Sequence, residues 1–189
     1  MMELANSVVR LIPLREASLD GLHEAAGTIE RWTLSLAPFG QSREAISRYV
    51  EEAHTPDALP FAVLDAASGR VLGSTRLKDV DRTHRKAELG YTWYVPDVWG
   101  TAVNPACKLL MLELAFKELG LERVVLYVNA ANARSIAAVA KLGAVREGTL
   151  RHDRLLPDGT WRDTAVFSIL AGEWPAVQGR LTARLAEFG

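Results

Sequence analysis

The run from Glu88 to Asn104 constrains this chain more than any other. Lys86 to Val95 alternates in hydrophobicity, the period of a strand. That period places Ala87, Leu89, Tyr91, Trp93 and Val95 on one face, with Glu88, Gly90, Thr92 and Tyr94 on the other. Pro96 to Val103 then breaks the pattern, and a helix is expected from Asn104 to Leu119, ended by Gly120. Asn104 suits an N-cap, and Pro105 suits the first helical position, where a missing N–H costs nothing. A strand, a loop of small residues and a helix N-terminus together form an anion-binding arrangement. Unpaired first-turn N–H groups point outward, and the helix dipole favours negative charge. Gly100 and Ala102 leave room for a phosphate at the backbone. An ordinary strand-to-helix connection reads the same way, so this run alone leaves both open.

The rest of the chain supplies the context. Ser7 to Pro13 reads as a strand, and 17–27 and 42–54 read as helices. Ser42 caps the second of these, with Ala45, Ile46, Tyr49, Val50 and Ala53 on one face. The segment 30–40 reads as a loop or broken helix. Phe61 to Asp65, the Ser68-Gly69 turn and Val71 to Val80 form a hairpin that continues into the strand at Lys86. Arg123 to Val128 reads as a buried strand. A helix from Asn132 to Leu142 follows, capped by Asn132 and ended by Gly143. Pro157-Asp158-Gly159 turns into a last strand, Trp161 to Leu170, and Pro175 opens a terminal helix. The expected fold is a mixed α/β domain over 1–189, with one mostly antiparallel sheet flanked by helices on both faces. The strands preceding the two middle helices are expected to be adjacent and parallel. Both helix N-termini would then meet at one sheet edge, where open α/β sheets bind ligands.

Composition excludes several alternatives. The 189 residues suit one domain with its own core. Lys plus Arg is 22 against 23 for Asp plus Glu, with the signs interspersed, so direct nucleic-acid binding is not expected. The single cysteine, Cys107, excludes a disulfide scaffold and a Cys-rich zinc site, and the histidines lack ligand spacing, so no metal is expected. No run approaches the roughly 20 apolar residues of a membrane span, and the N-terminus lacks a signal-peptide pattern. A cytoplasmic location is the expectation.

The motifs from about 85 to 175 resemble those of the GNAT superfamily of acyl-CoA N-acetyltransferases, of the RimJ/RimL type. Asp97-Val98-Trp99-Gly100-Thr101-Ala102 matches that family's pyrophosphate loop at its last small positions, with Asp97 where Gln or Arg is usual. Glu88-Leu89-Gly90-Tyr91 matches the preceding strand, and Asn132, Ser135 and Gly143 match the second helix. Glu147-Gly148, Asp158-Gly159 and Arg162-Asp163 are also similar to this subgroup. The tyrosine that many members carry seven residues after the asparagine is Val139 here.

The resemblance implies transfer of an acetyl group from acetyl-CoA to an amine by direct attack in a ternary complex. It implies that Trp93, Tyr94 and Val95 pair with the pantetheine arm and polarise the thioester carbonyl. Val98, Trp99, Gly100, Thr101, Ala102, Val103 and Asn104 would hold the pyrophosphate, and Asn132, Arg134 and Ser135 would complete the cofactor site. Glu88 is the candidate for taking the amine proton through water, and Ser135 for supporting the sulfur. Each has a plainer reading: Glu88 as the partner of Arg85, Lys86 or another surface charge, Ser135 as an exposed first-turn serine, Asn132 as a cap alone. Cys107 reads as packing, His152 lies near the substrate side, and Trp32 is a candidate for the acceptor pocket. The RimJ/RimL likeness implies as acceptor a protein N-terminal amine, ribosomal or other, or a small amine or antibiotic; a homodimer is open. Val139 supports a second class, a non-catalytic acyl-CoA-binding module. A different nucleotide-binding α/β domain conflicts with the antiparallel meander before the loop.

Overall fold

The computed structural model describes residues 2–29, 42–156 and 159–188. An eight-stranded sheet organises them. Its strands are β1 (Leu4–Ala5), β2 (Val9–Pro13), β3 (Leu59–Asp65), β4 (Val71–Asp81), β5 (Lys86–Tyr94), β6 (Arg123–Asn129), β7 (Val145–Leu155) and β8 (Trp161–Leu170). The order across the sheet is β1-β2-β3-β4-β5-β6-β8-β7. Every neighbouring pair is antiparallel except β5 and β6, which are parallel as expected. The helices are α1 (Leu19–Gly27), α2 (Arg43–Glu52), α3 (Val103–Glu113), α4 (Ala133–Leu142) and α5 (Trp174–Ala186).

Most boundaries follow from local chemistry. Ser18 and Ser42 accept the N–H groups of Gly21 and Ala45 to start α1 and α2, each at 3.2 Å. Asn132 does the same for Ser135 at 3.0 Å, and Gly143 ends α4 in the left-handed region at φ +90°. Helix α3 departs from expectation. It begins at Val103, so Asn104 lies inside the first turn and is not the cap. The Thr101 hydroxyl takes the Val103 N–H at 3.3 Å and donates to the Val98 carbonyl at 2.7 Å, so the cap position falls at Ala102, two residues early. The helix ends in one wide turn over Leu114–Glu118, where the Leu119 N–H reaches the Leu114 carbonyl at 2.9 Å.

Helices cover both faces. The Tyr49 hydroxyl of α2 meets Ser74 of β4 at 3.0 Å, and α1 packs on α2 and β4. On the opposite face, Lys108 of α3 donates to Thr92 of β5 at 2.8 Å, and α3 and α4 pack on α5. Fully buried Leu22 and Ile46 seal the first layer, and Met111, Leu112 and Val177 the second. Each such side chain contributes about 1.5–3 kcal/mol. The segment 30–40 and residues Pro157 and Asp158 lie outside the described residues.

Strand β5 does not alternate throughout. Gly90 pairs with Arg76 and Trp93 with Ser74, so three steps on β5 oppose two on β4. The extra residue is a bulge, and Tyr91 sits there at φ +52°. The slip sends Trp93 to the face of Glu88 and Gly90, where its indole N–H donates to the Tyr49 hydroxyl at 3.4 Å. Thr92 and Tyr94 take the α3 face with Leu89. The expected grouping of Leu89 with Trp93 is therefore wrong beyond the bulge.

Candidate active site

Strands β5 and β6 pair only at Lys86–Arg123, Ala87–Val124 and Glu88–Val125. Beyond Glu88 they separate, and from Leu89 onward the β6-facing edge of β5 has no partner strand among the described residues. A cleft of about 980 Å³ passes through the sheet at this opening. Lys108, Leu126 and Val128 line it on the α3 face; Gly90, Tyr91, Tyr127 and Arg162 line it on the α2 face, together with Thr28 and Ile29.

The α3-face mouth is built for an anion. The N–H groups of Gly100, Ala102 and Asn104 have no hydrogen-bond partner among the described residues, since the loop satisfies only Val98, Trp99, Thr101 and Val103. Gly100 stands at φ +80°, with open space where a side chain would be. Arg134, in the first turn of α4, lies over the Trp99 ring at 3.8 Å. This contact bridges the two helix N-termini. Trp99 is itself fixed by donating to the Tyr94 carbonyl at 2.9 Å. Asp97 faces away from the mouth and pairs with Arg70 at 2.7 Å, so its negative charge leaves the loop amides free for an anion.

Of the residues singled out from sequence, Trp93, Tyr94, Val98, Trp99, Gly100, Asn104, Asn132, Arg134 and Ser135 line the cleft. Val95, Thr101, Ala102 and Val103 are not among its lining residues. Val95 is buried, and its N–H is committed to the Leu72 carbonyl at 2.8 Å, so it has no free donor to offer. Val139 lines the cleft one turn beyond Ser135, an apolar side chain where the resemblance looks for tyrosine.

Glu88 sits at the last pair before the strands part, on the α2 face and only 3% exposed. It does not line the cleft. Among the described residues it pairs with Lys78, at 4.0 Å from Oε2, and Oε1 has no hydrogen-bond partner. Burial pushes its carboxyl above the usual range, against the pull of Lys78. A side chain at Gly90 would stand 2.7 Å from Oε1, and glycine leaves that space open beside the cleft wall. Glu88 and Ser135 therefore flank the opening without touching.

Several residues escaped sequence reasoning. Lys108 is buried inside the cleft wall, and burial pushes its ammonium below the usual lysine range. A lysine in the apolar run of α3 was its only signal. Arg76, and Arg162, which the sequence marked only as part of a family-like motif with no role in the site, are also buried, and the β-pairing brings them near Glu88. Cys107 is fully buried, which pushes its thiol up, in keeping with a packing role. His152 stacks on Trp161 at 5.7 Å on the exposed surface. Trp32 lies outside the described residues. Among the described residues there is no cluster of metal-ligating side chains, and no helix is long and apolar enough to cross a membrane.

Comparison with known proteins agrees with this architecture. The family model of the acetyltransferase (GNAT) domain matches residues 9–145. A GCN5-related N-acetyltransferase from Brucella melitensis superposes with a TM-score of 0.88 at 30% identity, covering 97% of this chain and 85% of that one. YdaF of Bacillus subtilis (strain 168), named as a candidate ribosomal N-acetyltransferase, is 33% identical over 106 residues, which span 56% of this chain and 57% of YdaF. RimJ of Mycobacterium smegmatis, solved with CoA-disulfide, shares the fold with a TM-score of 0.77 at 22% identity, covering 94% of this chain and 90% of that one. The chain belongs to the GNAT acetyltransferase family, and its activity is that of an acetyl-CoA-dependent N-acetyltransferase.

Proposed function

We propose that acetyl-CoA enters from the α3 face, the amine enters from the α2 face, and acetyl passes directly between them where β5 and β6 part. The observation that carries this reading is the cleft itself. It crosses the sheet, with unpaired loop amides at one mouth and a buried carboxylate beside the other. RimJ, on the same fold, holds a CoA derivative.

The loop amides of Gly100, Ala102 and Asn104, with Arg134 across the mouth, bind the pyrophosphate. The open edge of β5 pairs with the extended pantetheine arm as a further strand would, and its backbone N–H groups polarise the thioester carbonyl. The amine nitrogen bonds to the acetyl carbon as the carbon–sulfur bond breaks. The amine proton passes through water to Glu88, whose raised pKa makes it a stronger base than an ordinary carboxylate. Ser135 donates to the departing sulfur, in place of the absent tyrosine at Val139. The acceptor is a primary amine, on a protein N-terminus or a small molecule.

Direct attack is tested by initial rates and intact-protein mass. Lines that intersect in a double-reciprocal plot, with no acetylated protein after exposure to acetyl-CoA alone, are expected. Parallel lines with an acetylated protein intermediate would replace direct attack by a two-step route.

A further inference from the structure

The α2-face mouth carries a charge arrangement that proton transfer does not use. Strand pairing sets Arg76 and Lys78 of β4 beside Gly90 and Glu88 of β5. The same face continues through Val125 and Ser168 to Thr164 and Arg162 of β8. Arg76 is 6% exposed and Arg162 is 3% exposed. Three carboxylates lie in this region: Asp79 faces Lys78 at 3.2 Å, Asp153 faces Arg154 at 3.5 Å, and buried Glu88 lies 4.0 Å from Lys78 and within electrostatic reach of both arginines. Among the described residues, neither Arg76 nor Arg162 forms an ion pair.

Both guanidiniums are held in place by neutral groups. Arg76 lies over the rings of Tyr91 at 4.3 Å and Tyr49 at 5.2 Å, and its Nε has no hydrogen-bond partner among the described residues. Arg162 lines the cleft and donates from Nε and Nη2 to the Thr164 hydroxyl, at 3.2 and 2.9 Å. That hydroxyl donates in turn to Asp153 at 2.7 Å, which fixes its lone pairs toward the arginine. A buried, oriented guanidinium with donors to spare is costly unless an anion meets it. The planar fork matches a carboxylate with two parallel hydrogen bonds.

We propose that this mouth selects an amine bearing a carboxylate near its nitrogen, with Arg162 as the group that binds the carboxylate and Arg76 as the buried charge behind Tyr91. The proposal rests on the transferase reading for the amine, and on the charge arrangement alone for the carboxylate. The carboxylate comes from an amino-acid-like small molecule or from an acidic side chain beside a peptide N-terminus.

The test compares matched acceptors at saturating acetyl-CoA, by release of the CoA thiol, with rates referred to the neutral-amine concentration. The set is an amino acid, its amide, its decarboxylated amine, and two peptide amides with glutamate or glutamine at the second position. Carboxylate-bearing members are expected to exceed their matched neutral partners by about 10- to 100-fold in kcat/KM. The free amino acid or the acidic peptide, whichever leads, identifies the source. Arg162→Gln and Arg162→Lys are expected to erase that preference and leave the KM for acetyl-CoA unchanged. Equal rates across the set, or a preference that survives in a folded Arg162→Gln protein, overturns the proposal. Should no amine release thiol, the transferase reading fails, and the anion site is read separately in the CoA-loaded parent protein. Calorimetric titration with an N-acetyl amino acid and with its amide then decides. Binding that requires the carboxylate supports the site, and equal or absent binding overturns it.

Discussion

Gly100 and Gly69 form a matched pair for testing the phosphate loop. Both occupy the left-handed region, at φ +80° and +73°, and a Cβ at either would meet nothing within 4 Å. Replacing either by alanine therefore costs the same backbone strain, about 1 kcal/mol. For a chain of this length that lowers Tm by about 2–4 °C. The two sites differ in what surrounds them. Gly69 is in the hairpin turn between β3 and β4, whereas Gly100 lies among the unpaired amides of the cleft mouth. A methyl group at Gly100 stands where a phosphate oxygen must approach. Losing one charge-assisted hydrogen bond there costs about 1.5–3 kcal/mol, which weakens CoA binding roughly 10- to 100-fold. Scanning calorimetry without ligand measures the strain, and isothermal titration with CoA measures the affinity. The expected result is an equal fall in Tm for both variants and a loss of affinity in Gly100→Ala alone. Equal CoA affinity in both proteins would refute the placement of the pyrophosphate on this loop.

Other predictions concern single charged groups. Arg123 and Ser168 hold the Glu147 carboxyl down at about 2, against an ordinary 4.5, across β6, β8 and β7. Its contribution is complete above the ordinary value and lost as pH falls toward 2. Partial exposure limits it to about 1 kcal/mol. Urea midpoints for Glu147→Gln should fall below the parent's at neutral pH and converge with them near pH 2, and a constant gap would contradict this. Glu88→Gln should lower kcat by about 10²- to 10⁴-fold and abolish the acidic limb of the pH–rate profile, which in the parent inflects above the ordinary carboxyl range. Ser135→Ala should lower kcat while leaving CoA affinity unchanged; a parent-like pH–rate profile in both would leave solvent as the proton carrier. Lys108→Met removes a buried charge at similar volume and should raise stability at neutral pH by about 1–3 kcal/mol. The parent should gain stability as pH rises from the depressed Lys108 value toward 10.5, because its unfolded chain holds the proton longer, and the variant should lack that gain. Denaturant titrations from pH 7 to 10 read both effects, and a destabilised variant at pH 7 would contradict them.

Local chemistry made much of this fold legible. Ser42, Asn132 and Gly143 act at the helix ends where their side chains or backbone freedom suggest. The strand, loop and helix from Glu88 onward, and the parallel pairing of β5 with β6, follow from period and punctuation. What could not be read was set by contacts between distant segments. The bulge at Tyr91 inserts one residue in β5 against β4, just past the point where β5 leaves β6, and nothing in an alternating strand marks where the slip falls. Asp97 reads as a defect in a phosphate loop until Arg70, 27 residues away, is seen to hold it. Thr101 takes the capping role assigned to Asn104 because the preceding short turn delivers its hydroxyl to the Val103 N–H. Arg76 and Arg162 are 86 positions apart, and only the sheet puts them on one face. The acceptor end of the site is thus the part least visible in the sequence, and it is the part that sets specificity.

Acetyl transfer to an amine is the central claim, and product mass tests it most directly. The purified protein is incubated with acetyl-CoA and the acceptor set above, with free thiol and acetylated amine quantified in the same samples. The account predicts amine-dependent thiol release, with one acetylated amine formed for each thiol and no product in heat-inactivated controls. Tight acetyl-CoA binding with no amine-dependent thiol and no acetylated product would contradict it, and would leave the chain a binder of acyl-CoA.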